Sequence, residues 1–205
     1  MRLPSESQAS AGVWSSSLKD IADDLILGAE NAWLEGVRHL PSPNCDERPA
    51  GSRPELVVIH SISLPEGEFG TPHVEALFRN CLDVDAHPSF PEIAPLRVSA
   101  HVLIRRDGEL IQFVPFTRRA WHAGVSCHDG RDCCNDFSIG IELEGCDWQP
   151  FEEGQYRRLA SLVRLLMTAW PAIGADRLVA HSDIAPGRKT DPGPHFDWRK
   201  LRSLL

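Results

Sequence analysis

The apolar and polar positions divide the chain into short strands and one long helix. Residues 55–63 (ELVVIHSIS) form the first dense apolar run, rich in β-branched side chains, and predict a strand. Thr71-Pro72 opens a short helix with Val74, Leu77, Phe78 and Cys81 on one face. Residues 99–106 and 109–116 flank Asp107-Gly108, a strong hairpin signal. In residues 138–145 (SIGIELEG), Ile139, Ile141 and Leu143 alternate with Gly140, Glu142 and Glu144. A strand there turns both glutamates to the face opposite the three apolar side chains. Tyr156, Leu159, Ala160, Val163, Leu166, Met167 and Trp170 then recur at helical spacing until Pro171 stops the run. A last strand, residues 177–182, carries His181 and leads into a Gly/Pro-rich loop, residues 186–194. Strands mixed with a few helices and one hairpin predict an α+β domain with a mixed central sheet flanked by helices.

Upstream of this pattern the chain is different. Residues 1–26 are Ser-rich, with Asp20, Asp23 and Asp24 near their end, and read as a flexible extension. Residues 27–205 are the expected single domain, a length that can bury one core. The N-terminus lacks the apolar stretch of a secretory signal, and nothing approaches a membrane span, so the cytoplasm is the expected compartment and no membrane partner is expected. A net charge of −8 argues against nucleic acid as a partner, and leaves any anionic ligand to be met by local cations. Six cysteines (Cys45, Cys81, Cys127, Cys133, Cys134 and Cys146) are too scattered for a disulfide framework. Their spacing, with two adjacent and no C-x-x-C, matches no zinc or iron–sulfur pattern.

The candidate chemistry lies among nine histidines. His60 falls at the end of one strand and His181 at the end of another, and Asp191 follows in the loop. Two imidazoles and a carboxylate suit a catalytic zinc that keeps its fourth position for water. Taken singly, each histidine fits a satisfied core or surface position better than a ligand's role. In the loop segment GRKTDPG, Lys189 and Asp191 point the same way if the chain is extended, which suits oxyanion stabilisation beside a metal and also suits a solvated turn. Glu142 fits a general base or a solvent-facing carboxylate, and Glu144 on the same face is its obvious confounder.

Six stretches of the chain together carry a resemblance. WLEGVRHLPSPNCDERP, VVIHSISLPEGEFG, VSAHVLIRRDGELIQFVPF, RAWHAGVS, CNDFSIGIELEG and AHSDIAPGRKTDPGPHFDW occur in order from about residue 30 to the C-terminus. They resemble the zinc N-acetylmuramoyl-L-alanine amidase family, which shares its fold with peptidoglycan recognition proteins, and within it the branch acting on 1,6-anhydro muropeptides. The resemblance implies one zinc ion held by His60, His181 and Asp191, with Glu142 as the catalytic glutamate and Lys189 as the transition-state stabiliser. It implies hydrolysis of the amide between the lactyl group of the muramyl sugar and L-alanine, in the recycling of small muropeptides. Arg97 and Arg188 are candidates for stem-peptide carboxylates and Trp121 for an apolar wall, with His101 and His122 held as further pocket candidates. Ser61, Val102 and Cys133 depart from the family's usual residues. The alternative, a binding module that has kept the fold but lost the metal, requires a missing ligand, and none is missing here.

Overall fold

In a computed structural model, residues 25–205 are described. Apart from Leu25 and Ile26, the N-terminal extension lies outside the described residues.

A six-stranded sheet organises the domain, in the spatial order β1 (Arg38–His39), β5 (Leu110–Gln112), β4 (Val102–Ile104), β9 (Ser138–Glu144), β3 (Leu56–Ile62) and β10 (Leu178–Ala180). Only the β4–β5 pair is antiparallel, so β4, β9, β3 and β10 all run the same way. Two small antiparallel pairs complete the strands: β2 (Cys45–Asp46) with β6 (Arg119–Ala120), and β7 (Cys127–His128) with β8 (Arg131–Asp132). The hairpin predicted around Asp107-Gly108 is present. Asp107 Oδ1 accepts from the Glu109 N–H at 2.9 Å, which closes the turn, although the paired strands are shorter than the apolar runs.

The alternation in β9 sorts the two faces. Ile139, Ile141 and Leu143 join Val57 and Ile59 of β3 and Val102 and Ile104 of β4 on the face covered by α3 (Glu153–Ala169). Leu159, Leu162, Val163 and Leu166 of this helix are fully buried there. Each contributes roughly 1.5–3 kcal/mol relative to exposure. Glu152 and Gln155 form a reciprocal cap at its start, and Trp170 caps its end just before Pro171. α5 (Trp198–Ser203) packs beside α3. On the other face, α1 (His73–Phe78) and α2 (Phe90–Ile93) bury Val74, Leu77, Phe78 and Phe90 against Leu103, Ile111 and Phe113. This is the mixed sheet flanked by helices that the sequence predicts, folded as one domain.

One element differs from expectation. The strand predicted over residues 177–182 ends at Ala180, and His181 opens a helical turn, α4 (His181–Ile184). The Asp183 carboxylate accepts from the Ala180 N–H at 2.8 Å and bends the chain out of the sheet. Among the described residues, no helix is long and apolar enough to cross a membrane.

Candidate metal centre and its carboxylate neighbour

Register brings the predicted residues into one row. Leu103 of β4 pairs with Glu142 of β9, and Glu142 pairs with His60 of β3. Ala180 of β10 pairs with Ile59, so His181, one residue later, emerges at the level of His60. The row lies toward the C-terminal ends of the parallel strands, where open parallel sheets leave a crevice for ligands. Residues 121 apart in the sequence are thereby made neighbours.

His60 Nδ1 lies 2.9 Å from His181 Nδ1, and Asp191 Oδ2 lies 3.0 Å from each. His181 Nε2 sits 3.1 Å from the Ala123 carbonyl, which can only accept, so Nε2 carries the proton and Nδ1 presents its lone pair. Both imidazoles are buried, and burial pushes His60 down to about 4, which keeps it neutral at neutral pH. Neutral imidazole is the form a metal needs. His60 Nδ1, His181 Nδ1 and Asp191 Oδ2 converge on one point, where a cation could accept a lone pair from each. A tetrahedral site with bonds of 2.0–2.1 Å has edges of about 3.3 Å, slightly wider than this triangle. These three residues can therefore hold a metal ion.

Glu142 and Glu144 share a face and have opposite fates. Glu144 is fully engaged: Arg105 Nη1 donates to it at 3.0 Å, as do the backbone N–H groups of Gly70 at 2.7 Å and Arg106 at 3.0 Å. Arg105 is also paired with Glu75, so Glu144 belongs to a structural ion-pair network. Glu142 is buried and its Oε2 has no hydrogen-bond partner. Burial pushes its carboxyl well above the ordinary range, the charge of Asp191 adds to this, and Lys189 opposes it. A buried carboxylate held ready to take a proton, beside a site for a metal, is suited to general acid–base chemistry.

The remaining candidates are placed unevenly. Lys189 is exposed on the metal loop, with its charge felt at both Glu142 and His60. Arg188 donates to the carbonyls of Ala123 at 2.6 Å and Val125 at 2.7 Å, tying residues 123–125 to the metal loop, and it lies 3.5 Å from His181 Nε2. Trp121 is half-buried, and its Nε1 donates to Asp46 at 3.1 Å. Arg97 is exposed and folds back on the carbonyls of Ala94 and Pro95. His101 spends Nδ1 on the Gly140 N–H and Nε2 on the Arg118 carbonyl, and burial pushes it down to about 3. Arg48 has a role that the sequence does not signal. Its guanidinium donates to the carbonyls of Phe116, Asn135, Asp136 and Ser138, clamping the segments behind the site. Its acceptors are backbone atoms from distant segments, which leave no mark in the side-chain sequence.

Comparison with known proteins gives a consistent result. Residues 50–194 match the family model described as N-acetylmuramoyl-L-alanine amidase. A 1,6-anhydro-N-acetylmuramyl-L-alanine amidase, AmpD, from Enterobacter cloacae is 57% identical over 176 residues, covering 86% of this chain and 94% of that protein. A crystal structure of a selenomethionine AmpD derivative superposes with a TM-score of 0.84 at 56% identity, covering 86% of this chain and 98% of that one. The amidase AmiD from E. coli, solved with anhydro-N-acetylmuramic acid-L-Ala-D-γ-Glu-L-Lys as its substrate, gives a TM-score of 0.55 at 31% identity, covering 77% of this chain and 60% of that one. With the family model spanning most of the chain and relatives identical at more than half of the shared positions, this protein belongs to the N-acetylmuramoyl-L-alanine amidase family.

Proposed function

We propose that the chain is a zinc-dependent amidase that hydrolyses the bond between the lactyl group of 1,6-anhydro-N-acetylmuramic acid and the L-alanine of a soluble muropeptide. One ion per chain is held by His60, His181 and Asp191. The observation that carries this reading is the unpartnered Oε2 of Glu142, buried on the strand directly opposite His60. A purely structural carboxylate would be satisfied as Glu144 is, since an unpaired buried acceptor costs about 1–3 kcal/mol. The cost is understandable if the group has work to do on the substrate.

Zinc, when bound, supplies Lewis acidity and water acidic enough to ionise near pH 7. Glu142 takes a proton from the attacking water at Oε2 and delivers it to the departing alanine nitrogen, a role typically worth ~10² to 10⁴ in rate. Lys189 lies close enough to influence Glu142 and serves as a cation for the developing oxyanion, a contribution of roughly 3 kcal/mol. Trp121 forms part of the pocket wall. Arg188 first holds residues 123–125 against the metal loop, and its exposed edge with Arg97 remains available to stem-peptide carboxylates. The names and bound substrate of the relatives support this substrate class. Imported anhydro fragments are soluble, and the cytoplasm is the compartment in which a recycling amidase meets them.

The test is incubation with a defined anhydromuramyl tripeptide, with and without a zinc chelator, read by mass spectrometry. Release of free anhydromuramyl sugar and intact peptide, abolished by chelation and restored by zinc, is expected. Binding without cleavage would replace the amidase with a recognition module.

A further inference from the structure

Behind the metal triangle runs a line of polar atoms whose proton positions follow from one end. The Ser138 hydroxyl lies 2.6 Å from the Cys134 carbonyl, which can only accept, so Ser138 donates its single proton there. Its oxygen is then an acceptor for His122 Nε2 at 3.1 Å, which places the His122 proton on Nε2. His122 Nδ1 is left bare, and it lies 2.9 Å from His60 Nε2. His60 must therefore carry its proton on Nε2, and its Nδ1 presents a lone pair toward His181 and Asp191.

We infer that His122 is a positioning residue: it accepts from His60 Nε2–H and so fixes the tautomer and direction of the ring that faces the metal site. His122 is itself held from two sides. Its backbone N–H and that of Ala123 donate to Asn135 Oδ1 at 3.1 and 2.8 Å, and its ring meets His60 edge-on, with centroids 5.0 Å apart. An independent feature of β9 points the same way. A Cβ added to Gly140 would lie 2.6 Å from His122 Nδ1 and 2.7 Å from its Cδ2, closer than real Cβ contacts. Gly140 has an extended conformation that any residue could adopt in a strand, so its missing side chain is explained by the approach of His122. Strand, hydroxyl and loop are all arranged around this one ring.

The inference rests on the proposed role of His60 as a metal ligand, and two readouts separate the two ideas. In the metal-free full-length chain labelled with ¹⁵N-histidine, long-range ¹H–¹⁵N spectra report the His60 tautomer. Competition with a chromophoric chelator reports zinc affinity. Wild type is expected to show the Nε2–H tautomer. His122→Phe keeps the bulk and removes the acceptor, so His60 should become a tautomer mixture and zinc should bind ~10- to 100-fold more weakly. His122→Asn places Oδ1 near the lost Nδ1 and should recover most of both. Gly140→Ala, which leaves every polar group in place but displaces the ring, should resemble His122→Phe. If His122→Phe fails to fold by circular dichroism, Ser138→Ala decides instead. It removes one oxygen, frees the His122 proton to move, and should give mixed tautomers with zinc several-fold weaker. An unchanged His60 tautomer with zinc affinity within about twofold of wild type, in whichever variant decides, overturns the inference. A wild-type chain that binds no zinc overturns the metal reading, while the metal-free spectra still decide the tautomer.

Discussion

Glu142 and His60 face each other across β9 and β3, in register and on the same side of the sheet. Parallel strands lie about 4.8 Å apart, so a group on one can serve a molecule held by the other without help from any flexible loop. The imidazole is neutral through burial, and the carboxyl is raised through the same cause. A neutral imidazole and an unpartnered carboxyl, buried side by side, make sense together as parts of one site.

The two glutamates of β9 should separate cleanly under substitution. Glu142→Gln preserves shape and removes proton acceptance, so kcat should fall by ~10² or more while zinc content stays at one per chain. Glu144→Gln weakens a buried network that joins Arg105, Gly70 and Arg106. Its effect should appear mainly as lost stability, of the order of 3 kcal/mol, with kcat changed far less. Equal loss of kcat in the two variants, at equal stability, would remove any special role for Glu142.

The raised carboxyl of Glu142 also sets a direction for pH dependence. A folded-state value above the unfolded one means that the native state binds the extra proton between the two, so stability falls as pH rises through that window. In chelator-treated protein, Glu142→Gln should therefore be more stable than wild type at pH 7. A gain of about 1 kcal/mol corresponds to ~2–4 °C in Tm for a chain of this size. The gain should vanish at acid pH, below the ordinary carboxylate range. Differential scanning fluorimetry of both chelator-treated proteins across pH makes the check.

Much of this could be read in the sequence, and what could not has a physical reason. The alternation of SIGIELEG put Glu142 on the correct face, because a strand's period of two is set by the backbone. The helix over Glu153–Ala169 followed from apolar spacing and Pro171. The sequence predicts a strand through His181, since nothing in residues 177–182 announces that Asp183 will capture the Ala180 N–H. The local pattern leaves Glu142 and Glu144 equivalent and only the family resemblance separates them, because Arg105 and Gly70 reach Glu144 across sequence separations of 39 and 74 residues. The roles of Arg48 and His122 depend likewise on carbonyls and hydroxyls that only the fold brings near.

Metal binding should be visible as stability. A ligand at 100 times its Kd adds about 2.7 kcal/mol if it binds only the native state, which is ~5–11 °C in Tm for a domain of this length. Adding zinc to the stripped wild-type chain should raise Tm by this order. His181→Ala, which removes one of three converging ligands, should lose the increment and most of the activity. A His181→Ala chain that kept full zinc and full rate would eliminate this ligand set.

The boundary of the domain can be tested by truncation. Leu25 and Leu27 pack against the core, Leu27 bridges to Leu34, and the Glu35 N–H donates to the Ile26 carbonyl at 2.8 Å. Deleting residues 1–24 should leave kcat/KM within about twofold and Tm nearly unchanged, since it touches none of these contacts. Deleting residues 1–27 removes two partly buried leucines, a loss of roughly 1–3 kcal/mol, and should lower Tm by several degrees without changing the pH profile. A large loss of activity on removing residues 1–24 alone would show that the extension contributes to the site.

Substrate choice is the sharpest test of the proposed role. The chain carries a net charge of −8, so its overall field does not attract an anionic muropeptide, and recognition must be local. Among the described residues, Lys189 and Arg188 are exposed cations on the loop that carries Asp191, and Arg97 is exposed as well. Such a site can hold a short stem peptide by its carboxylates, and it should weaken as salt rises. The sugar must be distinguished by pocket shape and hydrogen bonding. Apolar contacts alone discriminate by perhaps ~10², whereas leaving a buried polar group unpaired can cost ~10⁴. We therefore expect kcat/KM for anhydromuramyl tripeptide or tetrapeptide to exceed that for intact sacculi, per cleavable bond, by at least ~10². Reduced muramyl peptides, which lack the bicyclic ring, should fall between them. Side-by-side progress curves on the three substrates, quantified by chromatography at two salt concentrations, make the comparison. Equal turnover of sacculi and soluble anhydromuropeptide would remove the recycling role and leave a general wall amidase with the same metal chemistry.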